Sequence, residues 1–112
     1  MTTRPRWIGR IWEGSTRASD AAAYLDYLGR TGFPGYRQTP GNRGLMAFRR
    51  LDTQEAQFLL LTLWESEEAI GKFAGPEPSR ARFYPEDDRF LVRRGETVRH
   101  LELVHAEGQL QP

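Results

Sequence analysis

The stretch FLLLTLWESEEAIGKF, Phe58 to Phe73, decides the fold. The seven residues Phe58 to Trp64 are apolar apart from Thr62, and the chain then turns polar within one residue and takes on helical spacing. Side chains on a strand alternate between faces, so Phe58, Leu60, Thr62 and Trp64 share one face and Leu59, Leu61 and Leu63 the other. Both faces are apolar, whereas an antiparallel sheet with one wet face alternates apolar with polar. Just downstream, Ser66 suits a helix N-cap, and Glu67 and Glu68 sit where the helix macrodipole favours acids. Ala69, Ile70 and Phe73 make the apolar stripe of that helix, and Gly75 with Pro76 stops it.

Outward from this stretch the remaining elements follow. WIGRIWEG (Trp7–Gly14) is rich in aromatic and β-branched residues and reads as the first strand. In ASDAAAYLDYLGR, Ala21, Tyr24, Leu25 and Leu28 recur at the spacing of one helix face, with Ser19 as the expected cap and Gly29 or Gly32 as the stop. The stretch TGFPGYRQTPGNRG, with two prolines and four glycines from Gly32 to Gly44, reads as a loop long enough to border a pocket. Leu45–Arg50 is a second strand, LDTQEA a hairpin connection and QFLLLTLW the third strand. In PEDDRFLVRR, proline at the first helical position, acids in the first turn and Arg89, Arg93 and Arg94 towards the end predict a short extra helix. Thr97–Val104 is the last strand, and the polar tail beyond His105 is expected to fray. The order is that of an α+β, ferredoxin-like β-α-β-β-α-β fold: a four-stranded antiparallel sheet with helices on one face and a short extra helix before the last strand.

Such a sheet leaves one face of the third strand without a cover, and no element of the chain is spare. Burying one Leu or Phe stabilises by roughly 1.5–3 kcal/mol, so three left in water forfeit several kcal/mol and form a sticky patch. A second copy of the sheet is the economical cover. A homodimer packed sheet to sheet is the expectation.

Composition narrows the function classes. The 112 residues suit one domain, 1–112, with its core over about 7–104. Sixteen basic and fifteen acidic residues give a net charge of +1, without the one-sided charge of a nucleic-acid binder. No apolar run spans a membrane, and MTTRPRWIGR lacks the apolar segment of a signal peptide, so a cytoplasmic location is expected. The chain has no cysteine, hence no thiolate nucleophile and no cysteine metal site. No dinucleotide or phosphate fingerprint occurs, and His100 and His105 make no recognisable metal pair. No cofactor is expected. Glu86, Asp87 and Asp88 read as helix-start charges, not as a metal site.

The strand-to-helix passage LLTLWESEEAIGKFAG, the element order and YPEDDRF together resemble the antibiotic biosynthesis monooxygenase family over roughly Trp7 to Val104. The resemblance implies a dimeric α+β barrel, in which two four-stranded sheets face each other and each protomer holds a cavity between sheet and helices. Some members of that family oxidise phenolic polyketides with O2 and no cofactor, the reduced substrate supplying the electrons, and others degrade haem. The haem-degrading branch uses an Asn, a Trp and a His at positions that fall near Gly9, Phe73 and Phe83, so none of the three residue types is present and haem degradation is not expected.

On this resemblance the expected activity is monooxygenation of a small aromatic substrate without cofactor. Arg10 is the candidate anchor for a phenolate and Tyr84 the candidate proton relay. Trp64, Phe73, Phe83 and Tyr36 are candidate substrate-binding walls, with Arg82 at the cavity mouth. Each also has a plainer reading: Trp64 as packing at a sheet edge, Tyr84 as a staple for the short helix, Arg10 as an ion-paired arginine. His100 reads as a structural hydrogen-bonder that could lie inside the dimer barrel. The rival to the enzyme is a non-catalytic dimer of the same fold that binds a small ligand or serves as a structural module.

Overall fold

A computed structural model of the protein describes residues 6–110. Five strands form one antiparallel sheet: β1 (Ile8–Arg17), β2 (Asn42–Leu51), β3 (Glu55–Trp64), β4 (Leu91–Arg94) and β5 (Arg99–Glu102). The spatial order is β2-β3-β1, with β4 and β5 both on the far edge of β1. Four α-helices accompany the sheet among the described residues: α1 (Ala21–Arg30), α2 (Gly32–Gln38), α3 (Glu67–Ala74) and α4 (Asp87–Phe90). This is the expected ferredoxin-like α+β arrangement, with the first three strands longer than the sequence pattern implied.

The hairpin between β2 and β3 closes because Asp52 Oδ1 accepts from the backbone N–H groups of Gln54 and Glu55, at 2.8 and 2.7 Å. Ser66 caps α3 as expected, its Oγ accepting from the Ala69 N–H at 3.1 Å. Ser19, in contrast, lies in a 3₁₀ turn over Ala18–Asp20, and α1 starts at Ala21 with no side-chain cap.

Two further expectations need correction. The Gly/Pro-rich stretch read as a loop contains α2. Pro34 falls in its first turn, where a missing N–H removes no helical hydrogen bond. Gly35 is there for space: a Cβ on it would lie 2.2 Å from the Tyr84 hydroxyl oxygen. The last strand is also not one run over Thr97–Val104. The extra helix is a single turn that begins at Asp87, not at Pro85, and Arg93 and Arg94 belong to β4, opposite Ser15 and Gly14. Between β4 and β5 the chain steps off β1 and pairs with the preceding segment instead, with Ala81 N–H to Glu96 O at 2.9 Å, Val98 N–H to Ser79 O at 2.9 Å and an Arg80–Thr97 bridge. Trp12 Nε1–H marks the step by donating to Gly95 O at 2.7 Å.

Register sorts the side chains by face, because residues opposite each other on antiparallel strands point the same way. Phe58, Leu60, Thr62 and Trp64 share a face with Ile8, Arg10 and Trp12, and this face meets the helices. Tyr24 packs edge-on against Phe58 with ring centroids 5.0 Å apart, and Phe73 lies against Trp64 at 5.7 Å. Leu59, Leu61 and Leu63 share the opposite face with Ile11, Met46, Phe48 and Leu101. Phe48 is 53% exposed and Leu101 48%.

Candidate functional site

The helix-facing side of the sheet gathers an unusual set of polar groups. Arg10 is only 2% exposed, fixed on the central strand β1. Its Nη2 donates to Arg80 O at 2.9 Å, which ties the segment between α3 and α4 to the central strand. Its Nε–H has no partner among the described residues. The Tyr84 hydroxyl, pressed over Gly35, is buried and equally without a partner among those residues. Both side chains line one small cavity together with Tyr36, Arg82, Phe83 and Asp87. An unsatisfied buried polar group costs about 1–3 kcal/mol, so two in one cavity mark a place where a hydrogen-bond acceptor would be stabilised.

Aromatic rings frame this cavity. Phe73 stacks on Tyr36 at 4.4 Å and 24°. The guanidinium carbons of Arg10 and Arg82 lie 5.5 and 4.9 Å from the Phe73 ring centroid, and Arg82 is 5.0 Å from the Tyr84 ring. Arg94 sits 3.6 Å from the Phe83 centroid. Trp64 is fully buried one layer back, its Nε1–H donating to Thr62 Oγ1 at 2.8 Å. The fold thus brings Arg10, Tyr36, Phe83 and Tyr84 to the cavity wall and sets Phe73 and Trp64 behind it. Tyr36, placed by sequence on a loop, is carried by α2.

The charged and phenolic groups respond to this burial. Desolvation raises the Tyr36 phenol to about 12, against the pull of Arg10 beside it. Burial likewise raises Tyr84, opposed by Arg82, and raises Tyr24. All three phenols are therefore neutral donors near neutral pH, not bases. Asp87 is the group that sequence reading missed. Its neighbours Glu86 and Asp88 made it one charge of a capping run, yet it is 5% exposed and lines the cavity. Burial raises its carboxyl above the usual aspartate range, while a hydrogen bond from the Tyr84 N–H and the charge of Arg94 pull it back. No local pattern distinguishes the middle acid of three; only the single turn of α4 turns it inward. His100 lies opposite Arg10 and so on the helix-facing side, which corrects its placement in a dimer barrel. Burial and then Arg10 lower its pKa, so it is neutral at pH 7.

No family model matches the chain, and neither does any curated protein. Solved structures do match. The NE2512 protein of unknown function from Nitrosomonas europaea superimposes with a TM-score of 0.69 at 13% identity, over 97% of this chain and 100% of that one. A mutant of MhuD, solved with two manganese protoporphyrin IX molecules bound per active site, gives 0.56 at 22% identity over 91% and 99%. A candidate antibiotic biosynthesis monooxygenase from Bacillus cereus gives 0.50 at 13% over 95% and 98%. At these identities the likeness carries the fold: a ferredoxin-like α+β fold of the kind found in antibiotic biosynthesis monooxygenase-like proteins. No helix among the described residues is long and apolar enough to cross a membrane.

A porphyrin does not fit the corresponding space here. The cavity between sheet and helices measures about 20 Å³, enough for one water-sized group, whereas ligand pockets run from about 300 Å³ upward. Stacked Tyr36 and Phe73, with the guanidinium of Arg10, fill the rest.

Proposed function

We propose that this protein is a homodimeric, monooxygenase-like enzyme that oxidises a small single-ring phenol or carbon acid with O2 and without a cofactor. The observation that carries this reading is the pair of unpartnered buried donors, Arg10 Nε and Tyr84 Oη, beside a buried Asp87 in one cavity. Asp87, with its raised pKa, takes the substrate proton. Arg10 holds the oxyanion that results, and Tyr84 donates a second hydrogen bond to the same oxygen. The electron-rich anion then reduces O2, one oxygen entering the product and the other leaving as water with two substrate hydrogens. Tyr36 and Phe83 form the walls, with Phe73 and Trp64 stiffening them. Entry requires the segment 80–86 to withdraw, which opens the Arg10–Arg80 hydrogen bond together with those of Ala81 to Glu96, Arg82 to Phe73 and Glu86 to Tyr27.

The test is O2 uptake with single-ring hydroquinones. Arg10→Lys and Asp87→Asn are each expected to lower turnover by about 100-fold. Uptake unchanged in both would end the catalytic reading. The small cavity favours a second reading, a binding module of the same fold, in which these compounds bind without being consumed.

The dimer is supported by the apolar face of Ile11, Met46, Leu61 and Leu63, which no helix covers among the described residues. Sedimentation equilibrium is expected to give a dimer at micromolar concentration and a monomer for Leu61→Glu. A wild-type monomer would overturn the assembly.

A further inference from the structure

A far larger opening than the inner cavity lies on the opposite face of the sheet. A groove of about 600 Å³ lies over the end of β1, β2, β3 and β4. Register builds its floor from two neighbouring rows. The first row, Phe48–Leu59–Glu13, is apolar at its β2 and β3 positions. The next row runs Arg50–Gln57–Ser15–Arg93 across all four strands, a hydrogen-bonding row with a cation at each end.

The charges of the groove do not cancel. Arg93 is paired with Glu55 at 3.2 Å and Arg94 with Asp88. Glu13, the one acid in the lining, leans on Arg99 at 3.8 Å. Arg50 has no carboxylate partner among the described residues. Arg50, with the Asp52 carboxylate near enough to feel its charge but not in ion-pair contact, stands beside an amide and a half-exposed phenyl ring, which suits a flat apolar body that carries one anionic group. The volume falls within the range of small-molecule sites, which the inner cavity does not reach.

We infer that this groove is a binding site for a small aromatic carboxylate, its anionic group on Arg50 and Gln57 and its ring on Phe48 and Leu59. The inference does not depend on the chemistry of Arg10, Tyr84 and Asp87. Dimerisation through the central leucines is compatible with it, because twisted sheets packed face to face diverge at their corners.

Amide-resolved NMR of the full chain tests the site, with naphthoate and its neutral amide as probes. Naphthoate is expected to shift Phe48, Arg50, Gln57 and Leu59 saturably and to bind about tenfold tighter than the amide. Arg50→Gln, with the rest of the spectrum unchanged, is expected to remove that preference. Equal binding of the two probes, shifts centred on Gly35, Tyr84 and Asp87, or no binding because a partner copy fills the groove would each overturn the inference. Sedimentation of the same samples separates the two claims: a monomer that binds naphthoate at Arg50 overturns the dimer and leaves the groove standing.

Discussion

The two faces of the sheet are both apolar in sequence and opposite in character. The helix-facing side is closed, with Phe58, Leu60 and Trp64 at most 3% exposed, and it has folded an arginine and a carboxylate into its core. The other side carries leucines at alternate positions of the same strand, half-buried by their neighbours alone. A face that is finished inside the protomer spends its packing on rigidity and tolerates buried polar groups only where they are held. A face that is unfinished offers area to something outside. The contrast separates chemistry, which needs fixed donors out of water, from association, which needs exposed apolar surface.

Several measurements break or sharpen this contrast. The largest effect is expected from Phe58→Ala, which opens a hole under Tyr24 and should cost about 3–5 kcal/mol in urea denaturation at any protein concentration. Leu61→Glu on the other face should lower stability in a way that depends on protein concentration, because it weakens association. Losses that are both independent of concentration would erase the distinction between the faces.

Next in size is the alkaline response of the closed face. Tyr36 is raised in the folded protein, so its contribution is fully present below about pH 10 and is lost as pH rises through about 12. Roughly 3 kcal/mol is at stake, and thermal melts across this range should show it. Tyr36→Phe should flatten that part of the profile; a profile of unchanged steepness would assign the loss to other groups. Ser66→Ala, which removes the cap of α3, should cost about 1 kcal/mol by the same melts.

The smallest effect is expected at Asp87. Its folded pKa is raised, so the folded state binds more protons and stability falls as pH climbs from the ordinary aspartate value of about 3.9 to the folded one. Asp87→Asn keeps an oxygen for the Tyr84 N–H and removes that fall, so the variant should be the more stable at neutral pH. A less stable variant would mean that the charge itself holds the turn.

Element types were legible along most of the chain because their signals are local. The alternation of Phe58 to Trp64, the Ser66 cap and the stripe of Ala69, Ile70 and Phe73 all act within one strand or two turns. Where the reading failed, a distant partner had outweighed local propensity. Gly35 reads as a loop residue until Tyr84 is seen lying over it, 49 positions away. Leu91–Arg94 reads as the end of a helix until β1 pairs with it.

For the candidate site, the residue types of Arg10, Tyr36, Phe83 and Tyr84 were legible as unusual, and tertiary structure put them around one cavity. By itself the sequence determined the order of the first three strands with the helices α1 and α3, and a strand apolar on both sides, since period and cap chemistry are properties of neighbouring residues. Only the tertiary structure decided which face each of those sides became, that Asp87 turns inward while Glu86 and Asp88 do not, and that the larger opening lies over Arg50. Those outcomes depend on strand register and on how tightly side chains fill space, and both arise between residues far apart in the chain.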